Sequence, residues 1–372
     1  MTDAASDATR LAAAFEAWLE AQRTARDWML GAPVPHTEED LAEGYRWVTR
    51  LASLAQEWFV ERNDPFHPEL FVSQSARRKL MVDNPDVTYW FGALDAAQTY
   101  RLRGVRGDAA YVGLTFGTPV GKGAVAGRTG TVHQTHLDVF GIGPGEPVDV
   151  WIAPTRPDGV DHWVPLHPDC GQVAVRETFH DRSDQRPSDL RLELVGDVPA
   201  PRCSADDLAP SLEFAALFLS FVGMACDEIW RGASASVNAF SGASGASHVE
   251  SQESELRSHS DADMTYHGGL FRLADGEALE ITVRPPAEPF VYWGLTTTNP
   301  WMESFDYRHR RTHINDRTAE RNDDGTWTLL LAPEDPHHAN WIDTGGRREG
   351  YMIVRWVLAD EAPLPEVQVV SI

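Results

Sequence analysis

The chain has 372 residues, 42% hydrophobic and 24% charged, which is globular composition with room for about two domains. Lys and Arg total 32 against 56 Asp and Glu, so a formal charge of −24 repels phosphate backbones and anionic membrane faces and disfavours nucleic acid and membrane as partners. Cys170, Cys203 and Cys226 are too few and too widely spaced for a disulfide framework or a zinc site.

Residues 10–62 predict two amphipathic helices. The second starts at Thr37, with Glu38, Glu39 and Asp40 in its first turn, where carboxylates suit the positive end of the helix dipole. Leu41, Tyr45, Val48, Leu51, Leu54, Ala55 and Trp58 form its buried stripe, and Asn63-Asp64-Pro65 stops it. From Val87 the period falls to two, predicting strands over 87–94, 99–104, 111–116, 148–153, 173–179 and 190–195. Short strands without intervening helices argue for antiparallel sandwiches or an open barrel. A helix follows over 207–230, whose apolar run 214–226 is short for a bilayer span. Residues 232–261, rich in Ser, Ala and Gly, read as a linker or exposed loop, with a lid as the alternative. Strands resume over 270–273, 279–283, 290–297, 327–331, 352–357 and 367–370, and Asp275-Gly276 and Asp323-Asp324-Gly325 carry hairpin-turn chemistry. No strict internal repeat is visible.

The expected architecture is mainly β, with two antiparallel sandwich-like β domains, an amino-terminal helical pair and a connecting helix. The expected boundaries are a helical region 1–75, a first β domain 76–200, a helix and linker 201–265, and a second β domain 266–372. The acidic amino terminus shows no apolar signal core, so a cytoplasmic location is expected.

The last third carries Tyr292-Trp293, then Asn299-Pro300-Trp301-Met302-Glu303-Ser304-Phe305-Asp306-Tyr307-Arg308. It continues with Asn322-Asp323-Asp324-Gly325, Asn340-Trp341-Ile342-Asp343-Thr344 and Arg348-Glu349-Gly350. These segments resemble the bacterial family of unknown function DUF1214. An earlier block, from Asp83-Asn84-Pro85-Asp86 through Tyr100-Arg101-Leu102-Arg103-Gly104 to Val175-Arg176-Glu177-Thr178-Phe179-His180-Asp181, is similar to the amino-terminal portion of the same proteins. The resemblance covers about two thirds of the chain. It implies a two-part β-sandwich architecture with appended helices, in bacteria that break down unusual carbon compounds, and brings no catalytic roles.

The densest polar stretch runs from Trp301 to Asn315 at the end of a buried strand, where loops on a rigid scaffold commonly place a site. Glu303, Asp306 and His309 are spaced by three, and a helical turn would put them on one face. Together with Arg308 they are the candidate catalytic residues, the carboxylates and imidazole for proton transfer and the guanidinium for an oxygen pair. Trp301 and Tyr307 are candidate substrate contacts. Trp341 and Asp343 offer an apolar wall and an acceptor beside Gly345-Gly346, a pattern that an Asx turn explains equally. Arg176 and His180 share one face of a strand and could flank an anion, or pair with carboxylates nearby. For both clusters the alternative is an ion-pair network that fixes loops. His309 and His313, four apart, could join Glu303 or Asp306 around a metal, but no zinc signature supports it, and the expectation is no metal and no cofactor. Nucleophile-elbow, Walker and dinucleotide motifs are absent.

The expected site is a cleft between the two β blocks, walled by Trp90, Trp293, Trp301 and Trp341. The expected function is binding of a small apolar or aromatic metabolite, with cofactor-independent lyase, isomerase or hydrolase chemistry. The alternative is a non-catalytic binding or assembly protein whose aromatics serve packing and homo-oligomer contacts.

Overall fold

A computed structural model describes residues 4–118, 131–201, 203–242 and 263–372. Its helices are α1 (Ala4–Gly31), α2 (Glu38–Gln56, running on into a π-helical turn, Glu57–Glu61) and α3 (Ala205–Ala233). The cap predicted at Thr37 is present: its Oγ1 accepts from the Asp40 amide at 3.1 Å, and Asp40 Oδ2 accepts from the Thr37 amide at 3.1 Å. Ser204 and Asp207 make the same reciprocal pair, which starts α3 ahead of the predicted Asp207. α3 is long and apolar enough to span a bilayer by composition, yet half of its apolar window is buried inside the fold. It packs as a core helix: Phe218, Leu219 and Val222 join Trp47, Leu51, Trp58 and Phe59 of the α2 region in one cluster.

The β residues form two blocks. In the first, β1 (Phe71–Val72), β2 (Val87–Ala93), β8 (Gln172–Thr178), β4 (Tyr111–Gly117) and β5 (Thr131–His136) make one sheet in that spatial order. Its second sheet runs β7 (Trp163–Pro165), β6 (Pro147–Ala153), β3 (Tyr100–Val105), β9 (Asp189–Leu194). Between them lie Leu102, Leu114, Val150, Val173 and Val175. The second block has a sheet of β10 (Ser241–Gly242), β11 (Met264–Arg272), β17 (Glu349–Val357), β13 (Tyr292–Thr298) and β14 (His313–Asn315). Facing it are β16 (Trp341–Asp343), β15 (Trp327–Ala332), β12 (Glu277–Val283) and β18 (Glu366–Ser371), with Ile281, Trp293, Leu329, Val354 and Trp356 enclosed. Pairing is antiparallel except at β6–β7 and β15–β16, where the edge strand is parallel.

Strand order is the same in the two blocks, so the fold contains an internal repeat. The match extends to single bonds. Trp163 Nε1 donates to Ala153 O at 3.0 Å, as Trp341 Nε1 does to Ala332 O at 3.1 Å. The Phe179 amide donates to Asp86 O at 2.9 Å, as the Leu358 amide does to Asp263 O at 2.8 Å. In sequence only a short trace survives, Tyr111-Val112-Gly113-Leu114-Thr115 against Tyr292-Trp293-Gly294-Leu295-Thr296.

Three expectations change. The two- and three-residue strands β1, β7, β10, β14 and β16 are too short for an alternating pattern to register. Asp275-Gly276 is a turn, with Gly276 at φ 73°, but it joins β11 to β12 across two sheets rather than closing a hairpin. The Asn322–Thr326 turn likewise leads from β14 to β15 in different sheets. Of the expected linker, Gly232 and Ala233 end α3 and Ser241–Gly242 pairs with β11; residues 243–262 lie outside the described residues.

Candidate functional site

The helices cover part of the β1–β5 and β10–β14 sheets, where Phe91, Ala174, Leu270 and Ile353 meet them. Farther along the same faces, side chains become polar and aromatic. In the first block, Tyr89 pairs with Arg176, which pairs with Gly113. In the second, Tyr266 pairs with Arg355, which pairs with Gly294. These Tyr–Arg–Gly rows occupy equivalent positions. Gly294 is needed, because a Cβ there would fall inside the hydroxyl of Tyr292, whose ring lies back along its strand.

Two reciprocal bonds stitch the blocks. Tyr292 of the second block donates to Asp86 Oδ2 of the first at 2.8 Å, and Tyr111 of the first donates to Asp263 Oδ2 of the second at 2.8 Å. Asp86 and Asp263 each precede the first long strand of their block. Asp86 also accepts from Asn315 Nδ2 at 2.9 Å and lies 3.2 Å from His313 Nε2. Burial alone would raise the Asp86 carboxyl, but hydrogen bonds from His313, Asn315 and Tyr292 hold it below the usual carboxylate range. With Nε2 directed at Asp86, His313 keeps a buried Nδ1 with no hydrogen-bond partner. Burial also pushes the Tyr292 hydroxyl well above its ordinary value, so it stays a donor.

The segment that delivers Asp86 is strained. Met81 and Val82 sit at φ 43° and 58°, and a β-branched residue in that region is a steric outlier. The Val82 amide donates to Met302 O at 2.6 Å, and Val82 O accepts from Arg355 Nη2. Asp83 accepts from the Ser304 amide at 2.9 Å and the Ser304 hydroxyl at 2.7 Å. Burial raises Asp83 above the ordinary carboxylate value and lowers Lys79, whose Nζ donates to Ser304 O and, at 2.8 Å, to Phe305 O.

The predicted site residues are distributed as follows. Residues 301–312 form turns rather than a helix, so the spacing of three does not align Glu303, Asp306 and His309. Glu303 is buried against Arg50 at 2.6 Å, and burial raises its carboxyl above the usual value. Asp306 is half-buried and gripped by Arg308 through two bonds of 2.8 and 2.7 Å, which with that charge hold its carboxyl far below the usual range. His309 is exposed. Trp301 is fully buried in the helical layer, its Nε1 donating to Asp40 O at 2.8 Å. Tyr307 lies 5.2 Å beneath Lys79 Nζ, and burial pushes its hydroxyl up to about 12. Arg176 is buried and donates to Thr115 Oγ1 at 2.8 Å, and His180 Nδ1 lies 3.1 Å from Asp316.

Segments 301–315 and 340–344 do meet: the Asp343 amide donates to Arg311 O at 2.8 Å and Arg310 pairs with Asp343 at 3.1 Å. The Asx turn is also there, with the Gly345 amide on Asp343 Oδ1 at 2.6 Å. The four-tryptophan wall is not. Strand alternation turns Trp293 into the second core, Trp90 packs on the first core and donates to Glu177 at 2.9 Å, Trp301 joins the helices, and Trp341 packs on Leu330 and Val370. Among the described residues, no three His, Cys, Asp or Glu side chains gather as metal ligands.

Sequence reasoning passed over Tyr89, Tyr266, Asp86 and Arg355. The repeated Tyr-x-Gly-Leu-Thr marks Tyr111, Tyr292 and their glycines, and it leads to Arg176, Arg355 and the tyrosines beyond them only once the strand pairing is known.

Comparison with known structures gives the same fold in an uncharacterized protein from Burkholderia cenocepacia. It is 28% identical, with a TM-score of 0.85 over 98% of this chain and 99% of that one. The VPA0106 protein from Vibrio parahaemolyticus, 14% identical with a TM-score of 0.51 over 88% of this chain and 98% of its own, shares the fold alone. No curated protein matches the chain. The family match begins within β11, so the first block lies outside it while repeating its strand order. Residues 271–361 match the family described as Protein of unknown function (DUF1214), in line with the resemblance read from the sequence.

Proposed function

We propose that this protein binds a small apolar or aromatic metabolite, in the cytoplasm, at the seam between its two sheet blocks. One observation carries the reading: the equivalent rows place Tyr89 and Tyr266, both half-buried, beside the buried Arg176 and Arg355. Aromatic walls with a few fixed polar groups suit such a ligand. Tyrosines here take the part that sequence reasoning gave to tryptophans.

The same seam supports cofactor-independent acid–base chemistry. Asp86, held ionised, lies 3.2 Å from His313 Nε2, a carboxylate–imidazole pair of the kind that moves protons. A second reading, a non-catalytic binding or assembly protein, is favoured by how completely Glu303, Asp306 and Asp343 are already held by Arg50, Arg308 and Arg310. Native mass spectrometry of the purified chain tests binding: a co-purifying small molecule lost in Tyr89→Ala and Tyr266→Ala supports it. A bare chain that also gives no thermal shift with aromatic metabolites overturns it. His313→Ala separates the readings, since an enzyme loses turnover while a binding protein keeps its ligand unchanged.

A further inference from the structure

Arg355 is 4% exposed, and among the described residues no carboxylate lies within ion-pair distance of it. Its Nη2 donates to Val82 O, its guanidinium lies 5.9 Å from the centre of the Tyr266 ring, and its buried Nη1 has no hydrogen-bond partner. A guanidinium does not shed its proton inside a protein. Asp83 attracts it only from beyond contact, so its burial is incompletely compensated, and leaving a donor unmade adds to that cost. Several arginines of this chain avoid the cost by meeting a carboxylate. Arg50 meets Glu303 at 2.6 Å, and Arg347 meets Glu43 at 2.8 Å. Arg355 departs from that pattern, and it does so in the row the internal repeat places opposite Arg176.

We propose that Arg355 is the recognition point for a carboxylate on the ligand, with Nη1 donating to a carboxylate oxygen and the Tyr266 ring flanking the acid's apolar body. This rests on the seam being the binding site, and it names the ligand class as small organic acids with an aromatic or alicyclic body. Tyr89 supports the geometry, because the positive charges of both Arg355 and Arg176 act on its buried hydroxyl. A single carboxylate fits better than a phosphate. One guanidinium with one arm committed to Val82 O matches a monoanion, and the pull of Asp83 on Arg355 leaves less positive charge for a dianion.

Isothermal titration of the full chain with benzoate and with benzamide, the same ring without the charge, tests the assignment. The expected result is at least tenfold tighter binding of benzoate by the wild type. Arg355→Met should bring the two ligands to equal affinity, and Arg355→Lys should keep part of the preference, as charge without the planar fork. The wild-type comparison needs no variant, so it stands even where Arg355→Met unfolds. Equal binding of benzoate and benzamide by the wild type, or a preference that survives Arg355→Met, overturns the carboxylate assignment and leaves the seam as a binding site. If neither probe binds and no small molecule co-purifies, the binding reading beneath it fails as well.

Discussion

The reciprocal tyrosine–aspartate bonds across the seam can be weighed against each other. Tyr292→Phe removes a 2.8 Å bond to Asp86, worth about 1.5–3 kcal/mol for a charged acceptor. It also strips the Asn84 Nδ2 amide of the hydroxyl it reaches at 3.2 Å, a buried donor left unmade at about 1 kcal/mol or more. Tyr111→Phe breaks the matching bond to Asp263, but Asp263 is half-buried and water can replace the phenol, so about 1 kcal/mol is expected. The Tyr292 variant should therefore lose about 2 kcal/mol more than the Tyr111 variant. For 372 residues unfolding together, an entropy of about 0.8 kcal/mol/K makes that gap about 2–3 °C in Tm. Urea titration is the better assay, since a constant m-value checks that the blocks still unfold as one unit. The pH dependence has a definite sign. The folded Asp86 carboxyl lies below its unfolded value, so its contribution is present above the ordinary carboxylate range and is lost as pH falls through the folded value. The penalty of Tyr292→Phe should shrink accordingly between pH 7 and pH 3. Equal costs for the two variants, or a penalty that grows in acid, would refute the seam geometry.

Glu303→Ala strands Arg50 in a buried position and should cost about 3–5 kcal/mol by urea denaturation, whereas Asp306→Asn, at an exposed pair, should leave the midpoint unchanged. Glu303 also sets a pH trend of opposite sign to Asp86. Its folded carboxyl is raised, so its contribution is full below the ordinary glutamate value and declines as pH rises through the folded value; stability curves of Glu303→Gln should lack that decline. Gly294→Ala must expel the Tyr292 ring and should destabilise at least as much as Tyr292→Phe, while altering the tyrosine signals in near-UV circular dichroism.

Much of the scaffold was legible because its signals are local. The Thr37 cap, the stripe along α2 and the period-two runs each depend on neighbours within a few residues; each element formed, although in the stripe Tyr45 is exposed and Trp47 takes a buried place. The repeat was not legible, because it is a property of strand order, and a sheet can keep its order while nearly every residue changes. The polar groups of the seam were not legible for a related reason. Residues 301–315 are rich in charge, and charge density in sequence was read as chemistry, yet Asp306 and Arg308 are spent on each other and Glu303 and Arg310 on Arg50 and Asp343. Asp306 and Arg308 are two residues apart and satisfy each other on the surface. Asp86 ends a short polar turn and Arg355 sits in an apolar strand, and both look ordinary until long-range contacts place Asp86 on Tyr292 and Arg355 on Val82.

Duplication also accounts for why the seam is polar. When two like blocks pack through equivalent faces, a residue chosen on one face meets its own counterpart, and large apolar groups at the axis would collide or leave a void. Tyrosine resolves this, since it fills the space and its hydroxyl can be tied to the opposite block, as Tyr111 and Tyr292 are tied to Asp263 and Asp86. The helices then seal only the apolar part of the joint face, through Phe218, Phe91 and Ile353. What remains beyond their reach is a strip carrying two arginines and four tyrosines. The strip is no perfect copy of itself: Arg176 bonds to Thr115 of its own block, while Arg355 reaches across to Val82 and keeps a donor unmade. That break in symmetry separates a residue tied to its own block from one with a donor left over for the proposed ligand carboxylate.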